Sequence, residues 1–154
     1  MQKIYRKGPI GSLMDEYEKA LVELKGAVVN IGEMDFLKVR IPDKMAQYRT
    51  IKDVCTHVIQ AGYIYSNSIR KTFQEPEMKP EFIIHSAGDM VHNLDVLFAH
   101  TLDTVKEKYN LTDDQVNQIR VKTSWADYSL EGILEHAITH ILRHRRQIEV
   151  FLSQ

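Results

Sequence analysis

The chain has 154 residues, 44% hydrophobic and 27% charged, and its 20 Lys+Arg and 21 Asp+Glu leave a formal net charge of −1. A chain of this size buries roughly 70% of its unfolded surface, so it can hold a core without staples, and its single Cys55 can form no internal disulfide. The balanced charge argues against a general nucleic-acid binder, no apolar run reaches the roughly 20 residues of a membrane span, and Met1-Gln2-Lys3-Ile4-Tyr5-Arg6 lacks a secretory apolar segment. The expected setting is the cytoplasm, with no nucleic-acid or membrane partner.

Apolar residues recur three and four apart through long segments, which predicts helices. The first runs from about Gly11 to Asn30 on the stripe Leu13, Tyr17, Leu21, Leu24 and Val28. Met34 to Ile41 alternates like a strand but has no partner strand, and reads as an ordered loop. The second helix runs from about Lys44 to Phe73 on Ile51, Val54, Val58, Ala61, Tyr65 and Ile69, with Pro76 and Pro80 beyond it. The third spans about Ile83 to Tyr109 on Met90, Val91, Leu94, Phe98, Leu102 and Val105. Thr112-Asp113-Asp114-Gln115 matches a capping box and predicts one short extra helix. The fourth long helix opens at Ser129, a good N-cap residue, with Glu131 in its first turn, and runs almost to Gln154. Four amphipathic helices without repeat or linker predict one all-α domain over 1–154, a four-helix bundle.

The seven histidines are the feature that composition does not explain. At about 100° per residue, His85, His92 and His100 fall toward the polar back of the third helix and read as solvated. His57 lies about 80° from its stripe centre, on the shoulder where bundle helices meet. In the last helix the stripe Ile133, Ala137, Ile141, Ile148 and Phe151 leaves His144 nearest the centre and His140 next, with His136 turned about 110° away. Imidazoles at i and i+4 on one inward face stand roughly 5–6 Å apart at Cβ, which lets both grip one ion. A lone inward histidine is more often a hydrogen-bonded core residue. Two adjacent ones repel if protonated, and if neutral leave lone pairs that a divalent cation satisfies. His57 is the one inward-leaning candidate left for a third ligand.

A histidine on the second helix followed by His140-x-x-x-His144-Arg145-x-Gln147 near the end of a four-helix chain resembles the DinB/YfiT-like superfamily of metalloenzymes. The resemblance covers nearly the whole chain in helix order, with its specificity in the C-terminal motif. It implies an up-down-down-up bundle, a metal on His57, His140 and His144 with water in the remaining coordination, and frequent homodimers. Some relatives are thiol S-transferases that use bacillithiol or mycothiol, and others have no known activity. The family pattern usually has a small residue where Arg146 stands here, a departure that bears on the packing of this turn and not on the ligands.

Three imidazoles favour zinc, with nickel, iron or manganese next, because oxygen-only ligation would suit magnesium or calcium. An open metal can activate water or hold a thiolate, so hydrolysis and transfer to or from a low-molecular-weight thiol are both available on a small-molecule substrate. Gln147 is placed to orient a ligand or the bound water, or is simply polar at the core boundary. The alternative is a non-catalytic metal-binding or stress-response scaffold whose ion ties two helices together. No His-Glu-x-x-His or paired Glu-x-x-His motif occurs. Cys55 reads as a small buried residue, and Arg143, Arg145 and Arg146 as cations spread over the outer side of the final turns. Trp125 and Tyr128, in the loop before the last helix, can staple that loop to the bundle and border the site mouth at once.

Overall fold

The computed structural model describes residues 4–154, in which α1 spans Gly8–Val28, α2 Glu33–Leu37, α3 Ile51–Thr72, α4 Ala87–Val105, α5 Asp113–Gln118 and α6 Leu130–Leu152. Strands β1 (Arg120–Lys122) and β2 (Asp127–Ser129) pair antiparallel, with Val121 opposite Tyr128. The helix starts follow their capping residues. Thr50 Oγ1 accepts from the Asp53 amide (2.9 Å) while the Asp53 carboxylate accepts from the Thr50 amide (3.0 Å), and the same reciprocal bonds join Ser86 with Asp89 and Thr112 with Gln115. Ser129 accepts from the Gly132 amide (2.9 Å) at the start of α6.

Three expectations are corrected here. The second long helix starts at Ile51 and not Lys44, because the Thr50 cap ends a separate 3-10 turn over Ala46–Tyr48. The third starts at Ala87 and not Ile83, again at its cap. Met34 to Ile41 is not loop throughout, since Glu33–Leu37 closes a helical turn that buries Phe36. The connection before α6 also contains the short hairpin, whose turn is tied by Thr123 Oγ1 accepting from the Ala126 amide (3.0 Å).

Cross-helix pairs give the topology. Gly62 lies against Leu97, Ser66 against Thr101 (3.2 Å) and Arg70 against Thr104 (2.8 Å), so α3 and α4 run parallel. Tyr17 meets Phe98 while Lys25 pairs with Asp95, so α1 and α4 are antiparallel. His57 meets His144 and Tyr65 meets His136, so α3 and α6 are antiparallel too. Relative to α1 the long helices α3, α4 and α6 therefore run down, down and up, and the parallel neighbours α1 and α6 are joined by Arg145 and Glu23. The parallel α3–α4 step requires a return crossover. Asn67 pins it by bonding both backbone groups of Met78 (2.9 and 2.6 Å).

The four long helices bury one core, from Ile10, Met14 and Leu24 through Val58 and Leu94 to Ile148. No helix among the described residues is long and apolar enough to cross a membrane. α3 packs tightly on α4 at Gly62, where an added Cβ would stand 2.4 Å from Leu97 Cδ2. Gly62→Ala should thus destabilise the protein by up to about 2 kcal/mol, the usual overpacking cost of about 1–3 kcal/mol less the roughly 1 kcal/mol by which alanine is the better helix former. A lowered urea midpoint at unchanged m-value would show it.

Candidate metal centre

Because α3 and α6 are antiparallel neighbours, one histidine of α3 meets two on successive turns of α6. His57 Nε2 lies 3.1 Å from His140 Nε2, which lies 3.1 Å from His144 Nε2. One ligand atom from each of the three lies within 4.8 Å of the other two. His140 and His144 are buried and His57 is half-buried. A tetrahedral zinc ion with Zn–N bonds of about 2.0–2.1 Å separates its nitrogens by about 3.3 Å, close to the spacing present. Hydrogen bonding among the rings alone cannot satisfy such a group, since His140 Nε2 faces two nitrogens and carries at most one proton.

The rings are poised as ligands. His144 Nδ1 stands 2.8 Å from Gln147 Oε1, and a carbonyl oxygen only accepts, so Nδ1 carries the proton and Nε2 offers a lone pair. Burial, reinforced by His144 and His57, holds His140 down to about 2, and burial holds His144 down to about 4 against the smaller raising effect of its Gln147 bond. His57 is lowered too, by burial and then by the charge of Arg143. At neutral pH all three are uncharged.

An aromatic wall surrounds the cluster. Tyr48 stacks on His144 (centroids 6.1 Å apart, planes 15°) and meets His57 edge-on, and Tyr65 meets His140 edge-on at 5.6 Å. Neither tyrosine was singled out in the sequence for the site. Tyr65 carried a usable signal, because it lies about two helical turns after His57, on the apolar stripe that flanks it. Trp125 is 51% exposed, donates from Nε1 to Tyr128 Oη (2.9 Å) and meets Tyr65 edge-on, which places the hairpin at the rim as well as against the bundle. His136 packs against Tyr65 and Tyr128 and stays outside the cluster, its ring centroid 6.3 Å from that of His140.

The remaining candidates divide. His85 and His92 are exposed as expected, whereas His100 is buried, its ring 5.2 Å from that of Tyr63. The expectation for His100 failed because α4 turns Leu97, Thr101 and Thr104 to the core, rotating its buried face toward His100. Cys55 is buried, and burial pushes its thiol up to about 12, which leaves no thiolate for attack. The three arginines of α6 are not one solvated set. Arg145 turns to α1 and pairs with Glu23, while Arg143 and Arg146 border a cavity of about 450 Å³ beside His144 and Tyr48.

An up-down-down-up bundle with three inward histidines gathered from its second and fourth long helices is the class this architecture and site define. The sequence profile of the DinB family matches residues 35–154, and the chain belongs to that family. A search of curated proteins finds no match to the sequence.

Proposed function

We propose that the protein is a metal-dependent enzyme acting on a small molecule, a thiol S-transferase or a hydrolase, with a divalent cation on His57, His140 and His144. The convergence of three uncharged imidazoles, one of them with its tautomer set by Gln147, carries the reading. Zinc is the first choice and nickel, iron and manganese follow, because borderline metals suit imidazole. Such an ion supplies a Lewis acid that lowers the pKa of a bound water or thiol. The chain's own residues do the rest. Gln147 fixes the His144 tautomer, Tyr48 and Tyr65 close two sides against water, and no fourth histidine, cysteine or carboxylate belongs to the cluster among the described residues, which leaves room for water or substrate.

The test incubates metal-loaded protein with bacillithiol, glutathione or coenzyme A and a chlorinated nitrobenzene, and separately with simple esters, using His144→Ala as control. Turnover that requires His144 supports the enzyme. Turnover that survives the substitution removes the metal from the mechanism, and none with any thiol or ester moves the reading to a metal-binding scaffold. Gln147→Leu should weaken metal affinity about 10–100-fold by releasing the His144 ring, and Gln147→Glu, which keeps an acceptor, should not; competition with a chromophoric chelator measures both.

A further inference from the structure

The cavity beside His144 has a polar wall of one sign. Lys44, Arg143 and Arg146 line it, no acidic residue does, and Ile41, Val150 and Phe151 form an apolar wall. None of these three cations has an ion-pair partner among the described residues, whereas Arg145, between two of them in sequence, bonds Glu23 and stands 3.5 Å from Glu149. Lys44, Arg143 and Arg146 are exposed, and three like charges facing one concavity give it a positive potential that attracts anions.

The cavity is also held in shape. Arg40, its side chain only 5% exposed, donates from Nη1 to the Phe151 carbonyl (2.7 Å), which ties the segment before Ile41 to the end of α6. The Arg40 amide donates to the Arg49 carbonyl (2.9 Å) and Arg49 Nε to the Lys44 carbonyl (2.8 Å), closing the loop that presents Lys44 and Tyr48. A volume of about 450 Å³ lies within the roughly 300–1,000 Å³ of small-molecule sites.

We propose that this cavity binds an oxyanion, a carboxylate or phosphate monoester, carried on an apolar body. The anion meets Lys44, Arg143 and Arg146, and the body lies along Ile41, Val150 and Phe151. His144 itself lines the cavity, so the bound anion sits next to the histidine cluster. The inference names the substrate class for the proposed enzyme and rests on that reading for its catalytic meaning, while the binding stands on the cavity alone.

Calorimetric titration of the full chain, metal-free and zinc-loaded, with phenylbutyrate, phenylethyl phosphate and the neutral phenylbutyramide tests it. At least one anion should bind about tenfold or more tighter than the amide, as charge-assisted hydrogen bonds imply, and added salt should narrow the gap. The ranking of carboxylate against phosphate identifies the headgroup. The combined Lys44→Gln, Arg143→Gln and Arg146→Gln variant should lose the preference while keeping its helical circular dichroism and melting point. Equal binding of amide and anions, binding of none, or a preference that survives in the triple variant would overturn the proposal. Zinc affinity, read separately by chelator competition, keeps the two readings apart. Anion preference without zinc binding sinks only the metal centre, and zinc binding without anion preference sinks only this inference.

Discussion

Alanine at His140 or at His144 should leave the purified protein without its divalent ion, and alanine at His136 should leave the ion in place. Loss of a residue that merely orients a ligand costs about 10–100-fold in affinity, so loss of one of three ligands should exceed the upper end of that range. Elemental analysis of the dialysed variants reads this directly. His57→Ala belongs with the first group, since His57 Nε2 supplies the contact from α3. A second readout follows from linkage. Metal at about 100 times its dissociation constant adds about 2.7 kcal/mol to the folded state, which for a chain of this size raises the melting point by roughly 5–10 °C. That increment should vanish in His144→Ala and persist in His136→Ala. Equal loss of metal on changing His136, which packs against Tyr65 and Tyr128 outside the cluster, would mean that the ion uses a different set of rings.

The long helices were legible because a 3.6-residue period repeats five or six times in each, and the caps at Thr112 and Ser129 were read directly. The Thr50 cap carried the same information, but periodic residues before it masked the break between the 3-10 turn and α3. Short elements such as α2 and the hairpin hold too few residues to show a period. His100 was misplaced for a chemical reason. Thr101 and Thr104 donate their hydroxyl protons to the Leu97 and His100 carbonyls (2.9 Å each) and bond Ser66 and Arg70 of α3, so both side chains are satisfied when buried. A wheel that counts threonine as polar turns the buried face away from them.

The histidine cluster was legible for a related reason. Its pairing depends on helical spacing within α6, and its third member needed only the neighbouring α3. The tyrosines and the cationic cavity are products of tertiary structure. Tyr48 and Lys44 come from a loop whose path is set by Arg40 and Arg49, and no local pattern announces that this loop returns to Arg143 and Arg146.

Acid should weaken the metal-free fold earlier than carboxylate titration does. His140 is held down to about 2 and His144 to about 4, and burial also lowers His57, His100 and His136. In the unfolded chain each returns to about 6.5, so below that pH the unfolded state takes up protons that the native state refuses. Stability is therefore present above about pH 6.5 and falls with pH toward the native value of each group, by about 1.4 kcal/mol per pH unit for every proton so withheld. Urea unfolding at pH 7, 6 and 5 should show a slope that steepens to about two protons near pH 5, and His140→Ala should remove about one of them. Asp103, held down to about 2 by Lys106 and Arg70, acts in the same direction but below the ordinary carboxylate range, so it does not contribute to this window. Stability that stays flat from pH 7 to 5 would mean that these rings exchange protons with solvent as freely in the fold as outside it. With the ion bound the same rings resist protons further, so metal release should follow unfolding in acid rather than the titration of an ordinary imidazole near pH 6.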